Sequence, residues 1–174
     1  MDNTNNPKVR IRPNLNNPNG PRFNTPLQMM GFLKYLNYVD FTTLMSPEQV
    51  IESDSGSCHD QALFMLDELS LMGYESVSKF LMAVDDDDQG GETHTFVYCI
   101  IGSKFYWFEN AWEDYQGMHD FNTEEELLTY VIDAFTNRNP NQYIYMGDFI
   151  PEDHTIGESL GVFVDICMEN AELV

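Results

Sequence analysis

Two kinds of apolar spacing follow one another along this chain. Behind Thr25-Pro26, a capping residue and a proline suited to a first turn, Leu27, Met30, Leu33 and Leu36 keep helical spacing. A helix to about Tyr38 is expected. Ser46-Pro47-Glu48-Gln49 repeats the signal as a capping box and predicts a short helix near 47–52. The strongest pattern runs from Cys58 to Met72, where Ala62, Met65, Leu66, Leu69 and Met72 form one stripe and Gly73 stops the helix.

The period then shortens. Glu75 to Val84, Thr93 to Ile101 and Lys104 to Ala111 read as strands, with 85–91 an acidic loop and Gly102-Ser103 a hairpin turn. Helical spacing returns after Asn122-Thr123 and continues to about Thr136, with Glu124, Glu125 and Glu126 in the first turn, where the helix dipole favours them. Tyr143 to Met146 is a short strand, and Ile156 to Glu172 holds a closing helix. Helices, then consecutive strands, then helices give an α+β fold, a helix cluster packed on an antiparallel sheet. There is no internal repeat.

Composition divides the chain differently. Residues 1–26 hold five of the eight prolines and eight asparagines, and read as an extended arm; a single domain is expected over 27–174. The arm carries +3 and the remainder −24, within a net charge of −21. So acidic a body repels nucleic acid and anionic lipid and suits a basic partner. The arm's basic residues are free to meet that body or a partner, and a loose terminus is the simpler reading. The longest apolar run, Phe96 to Ile101, is far too short to span a bilayer. No basic-then-apolar leader opens the sequence, and three cysteines are few and odd, so reduced thiols in a cytoplasm are expected.

The chemistry gathers at Ser55-Gly56-Ser57-Cys58-His59-Asp60-Gln61. Small, turn-forming residues lead straight into the strongest helix and set Cys58 at its start, with the sulfur accessible. A helix N-terminus stabilises a thiolate, and a nearby imidazole does so too. The same position offers a backbone N–H to an oxyanion. Cys99 and Cys167 lie in apolar runs and read as core thiols.

With a two-residue turn at Gly102-Ser103, paired residue numbers across the hairpin sum to 205. His94, Phe96, Tyr98 and Ile100 then share a face with Ala111, Glu109, Trp107 and Phe105. Glu109 lies one diagonal step from His94, roughly 7–8 Å at the backbone and within side-chain reach. Asn110 points to the other face; a one-residue slip would exchange the two. Cys58, His94 and Glu109 are therefore the candidate nucleophile, base and orienting acid.

Gly56-x-Cys58, the helix from Asp60-Gln61-Ala62-Leu63 to Met72-Gly73, Thr93-His94-Thr95-Phe96 and Tyr106-Trp107-Phe108-Glu109 together resemble the transglutaminase-like superfamily of papain-like cysteine enzymes, and its small stand-alone members in bacteria and their phages. The likeness covers roughly residues 45–135. It implies thioester chemistry on a peptide or protein amide by a Cys58-His94-Glu109 triad, without cofactor or metal, ending in hydrolysis or transfer to a second amine. Two positions depart from the pattern: His59 stands where tryptophan is usual, and the third member is Glu rather than Asp. Some members have lost activity, which leaves a non-catalytic binding module with an acidic face for a basic partner as the alternative.

Two metal readings fit less well. Cys58, His59, His94 and Glu109 lack the paired-ligand spacing of zinc sites. Asp85-Asp86-Asp87-Asp88-Gln89-Gly90 opens like a calcium loop, but Phe96 stands where its closing acid belongs. A solvated acidic turn beside the cleft, discouraging acidic substrates, is the simpler reading.

Overall fold

The computed structural model of the chain describes residues 10–17, 19–85 and 90–174. The first nine residues and 86–88 of the acidic run, on which part of the arm and the calcium-like loop fall, lie outside them. Chain order is α1 (Pro26–Leu33), β1 (Asn37–Tyr38), α2 (Pro47–Ser53), β2 (Ser55–Gly56), α3 (Cys58–Leu71), β3 (Ser76–Val84), β4 (Gly90–Ile101), β5 (Lys104–Glu109), β6 (Gly117–Phe121), α4 (Glu124–Arg138), β7 (Tyr143–Asp148), α5 (Leu160–Met168) and β8 (Glu172–Leu173).

The fold is α+β. Six strands form an antiparallel sheet in the order β6-β5-β4-β3-β7-β8, while β1 and β2 make a small parallel pair. The β4–β5 hairpin has the register expected from its turn, Val97 opposite Phe108 through Ile101 opposite Lys104. Helix caps also follow the sequence. Thr25, Ser46, Ser57 and Thr123 each accept a backbone N–H in the first turn of the helix they open.

Both faces of the sheet are covered. On one, Phe80, Val97, Cys99 and Phe108 pack with Phe32, Phe64, Leu69 and Phe163 from α1, α3 and α5. On the other, Leu81, Phe96, Tyr98 and Trp107 pack with Leu127, Val131 and Phe135 from α4. Two buried faces are why β4 reads as a nearly continuous apolar run instead of a strict alternation.

Two local expectations are revised, and one strand is additional. The first helix ends at Leu33, because Asn37 N–H donates to Asp54 O and draws the chain into β1. The strand expected to run to Ala111 ends at Glu109. Gly117–Phe121, which has no strand-like alternation, forms β6 against β5.

The described part of the arm is fastened. Arg10 forks onto Asp54, and Phe23 packs in the core against Phe32 and Phe64. Arg22 reaches Glu48, Asp67 at 2.7 Å and the fully buried Glu68 at 2.5 Å, and its own N–H donates to Glu68 at 3.0 Å. Among the described residues no helix is long and apolar enough to cross a membrane.

Candidate active site

The site is built where β5 stops. Beyond Glu109 no strand among the described residues lies beside β4 on that flank, so Thr93, His94 and Thr95 present an open edge. The tip of α3 fills it. His59 Nδ1 lies 2.6 Å from Thr95 Oγ1 and Nε2 3.3 Å from Thr93 Oγ1, on one face of the strand. Cys58, the residue before it, meets the His94 ring, which faces the other way. Consecutive residues reach opposite faces of β4 because the helix tip sits at its edge.

The tip is held from several sides. Ser57 caps the helix, and the Asp60 carboxylate accepts from Ser57 N–H at 2.9 Å, Ser57 Oγ at 2.7 Å and Met45 N–H at 2.8 Å. Gln61 donates to Gly56 O at 2.9 Å, and Asn110 donates to Gln61 Oε1 at 2.8 Å and Leu33 O at 2.9 Å. Asn110, the other acid-position candidate, thus locks the segment before Cys58 and does not face His94. Gly56 lies so close to α3 that an added Cβ would stand 3.3 Å from Asp60 Cβ.

His94 Nε2–H donates to Glu109 Oε2 at 2.8 Å, and both side chains are 2% exposed. Glu109 Oε1 accepts from Ala111 N–H at 2.6 Å and Trp112 N–H at 3.0 Å, which fixes the carboxylate. Trp112 stacks on the imidazole with ring centres 3.9 Å apart, and the Arg138 guanidinium lies over its indole. With Nε2 committed to Glu109, Nδ1 is the nitrogen left for Cys58.

Electrostatics separates this thiol from the other two. Burial alone would raise the Cys58 pKa, but the charges and hydrogen bonds of His59 and His94 bring it down to about 5. Burial would lower His94, yet the Glu109 carboxylate and the Cys58 sulfur raise it to about 9. His94 has a carboxylate behind it, whereas His59 has threonine hydroxyls and the rings of Phe41, Phe80 and Phe163. The Glu109 carboxylate favours the charged form of His94. Cys99 is pushed up to about 11 by burial.

Cys167 makes an instructive contrast. It too sits in a cysteine-histidine-glutamate set, with its sulfur 3.7 Å from His154 Nε2 and His154 Nδ1 bonded to Glu158. But it lies in the last turn of α5, where the helix dipole disfavours an anion. Burial, Glu158 and Asp148 push it up to about 12. The same three residue types at the opposite end of a helix hold the thiol in its protonated form.

One expectation is corrected: the Cys58 sulfur is not open to solvent, since Cys58 is only 4% exposed. Tyr38, paired beside Gly56 through β1 and β2, lies close enough for its pKa to respond to Cys58 and is itself half exposed. Burial first, and then the Cys58 charge, raise the Tyr38 pKa. Tyr38 is a site residue that local pattern does not reveal, and the contacts of Asn110 with Gln61 and of Trp112 with His94 are hidden likewise, because each acts across a long sequence separation. His59 fills an aromatic pocket, which accounts for a ring at this position. Cys58, His59, His94 and Glu109 do not converge as ligands, and among the described residues no group of three or more His, Cys, Asp or Glu is placed to hold a metal ion.

No protein-family profile and no curated protein sequence matches the chain. Among solved structures it is similar to Legionella pneumophila LapG, with 16% identity and a TM-score of 0.40 over 82% of this chain and 74% of that one. It is similar also to EGTA-treated Legionella pneumophila LapG, with 14% identity and a TM-score of 0.42 over 80% and 74%.

Proposed function

We propose that the protein is a transglutaminase-like cysteine enzyme that cleaves or transfers a peptide or protein amide through a thioester on Cys58. The observation that carries this is the relay itself: a thiol at a helix N-terminus against an imidazole whose far nitrogen is held at 2.8 Å by a buried glutamate.

The Cys58 thiolate attacks the amide carbonyl carbon, and the carbonyl electrons move onto oxygen. The Cys58 backbone N–H, in a first turn with no intrahelical acceptor, is the donor for that oxyanion. As the C–N bond breaks, His94 gives its proton to the departing amine and the thioester remains. Water or a second amine then attacks, and the now neutral His94 takes its proton. Loss of the thiolate leaves a carboxylate or a new amide and restores the starting pair. Glu109 stabilises the charged imidazole and fixes its tautomer. Three unpaired cysteines suit a reducing compartment such as the cytoplasm.

The test is incubation of the wild type and Cys58→Ala with a peptide pool and a biotin-tagged primary amine, followed by mass spectrometry. Cleaved, deamidated or amine-tagged peptides that appear only with the wild type are the expected result. Identical peptide patterns with both proteins would remove the reading.

A further inference from the structure

A cavity of about 770 Å³ lies away from Cys58. It is a groove along the flank of α3, walled by Leu63, Leu66, Asp67 and Ser70, which recur at the spacing of one helix stripe. Its opposite wall is the start of β3 and the chain leaving β7, with Val77 and Ile150 exposed although apolar.

β3 is longer than its neighbour. Its pairing with β7 begins at Lys79 opposite Asp148, and Phe149 N–H donates to Ser78 O. Backbone groups of alternate residues point to the same side of a strand. Those of Ser76 therefore face the groove, where no strand covers them among the described residues. The groove thus offers a short free strand edge beside an apolar wall.

Its charge is of one sign. Asp67, Glu75, Asp148 and Glu152 line it, and no basic residue does. Asp67 is shared with Arg22 and Asp148 with Lys79, while Glu75 and Glu152 form no ion pair among the described residues. Such a surface repels an acidic segment and complements a cationic one.

We infer that this groove docks an extended segment of a partner protein in which basic and apolar residues alternate. The segment adds to the Ser76 edge of β3, its apolar side chains lie on Val77 and Ile150, and its cations meet Glu75 and Glu152. This is strand addition, in which main-chain bonds hold the peptide and alternate side chains select it. The docking needs no chemistry at Cys58, so it stands or falls apart from the proposed reaction.

The experiment uses Cys58→Ala protein and the capped hexapeptide Lys-Val-Lys-Val-Lys-Val, followed by amide NMR. Expected are shifts at Ser76, Val77, Phe149 and Ile150, and affinity at least tenfold weaker in Glu75→Lys/Glu152→Lys, both surface positions. Ser76→Pro, which removes only an edge N–H, should weaken binding as well. Equal binding of a Glu-Val counterpart would overturn the proposal. So would unchanged affinity in the double variant, or shifts spread over the acidic surface that miss these four amides.

Discussion

Replacing both His59 and His94, the two imidazoles that hold the Cys58 pKa down, slows iodoacetamide alkylation of Cys58 at pH 5 by about 30–60-fold, and His94→Ala alone slows it by less. The size follows from two opposed effects. With a pKa of about 5, half of the wild-type thiol is ionised at that pH. An unassisted cysteine near pKa 8.5 is ionised only to about three parts in ten thousand. Thiolate supply therefore falls about 1,600-fold. A more basic thiolate is the better nucleophile, with a Brønsted slope of about 0.4–0.5, which returns about 25–55-fold. The wild-type rate should climb as pH rises through about 5 and stay level until the imidazolium is lost near 9. In the double variant the climb moves towards pH 8.5, less whatever the helix N-terminus retains, and in His94→Ala it stops short of that because His59 remains. Because Cys58 is buried, absolute rates are low in all of these proteins, and the ratio and the midpoint carry the result. Cys99 and Cys167, whose thiols are raised, should label later than Cys58 at every pH below about 9.

Arg22→Ala is the second large effect, and it falls on stability. Removing the guanidinium leaves Glu68, which has no solvent exposure, without its partner. Breaking a buried pair in this way costs about 3–5 kcal/mol, a large share of the roughly 5–15 kcal/mol by which domains are stable. Contacts with the more exposed Glu48 and Asp67 add little. Even in the wild type, burial outweighs Arg22 and holds the Glu68 pKa above its ordinary value. Without Arg22 it rises further. A folded pKa above the unfolded one means that the folded protein holds the proton more tightly. The penalty is therefore absent below the unfolded pKa of about 4.3 and grows as pH rises towards the folded value. Urea denaturation should show a larger loss at pH 8 than at pH 5. Adding Glu68→Gln, which removes the charge and can still accept the Arg22-position N–H, should recover most of it. A loss independent of pH and not recovered by Glu68→Gln would mean that the arm contributes packing alone.

How much of this was legible depends on how far apart the interacting residues lie. The β4–β5 register follows from Gly102-Ser103, and with it the diagonal step from His94 to Glu109, because a tight turn fixes pairing locally. The cap at Ser57 is equally local. The small-residue approach to Cys58 announces a helix start, but not that Tyr38 comes to lie beside it, since that placement depends on β1 meeting β2 across a long loop. The Asn110–Gln61 bond is hidden for the same reason. Nothing in the sequence shows that Ala111 and Trp112 fold their N–H groups back onto the Glu109 carboxylate. Cys167 was readable as inert only from its apolar run, and its histidine and glutamate were invisible as a set.

The central claim is an acyl group carried on Cys58. The direct measurement is acid quenching of the protein during reaction with the peptide pool, then site-resolved mass spectrometry of the three cysteines with and without hydroxylamine. Expected is a peptidyl group on Cys58 that hydroxylamine removes, together with its absence from Cys99 and Cys167. An unmodified Cys58 in a pool whose peptides are nonetheless processed would contradict it.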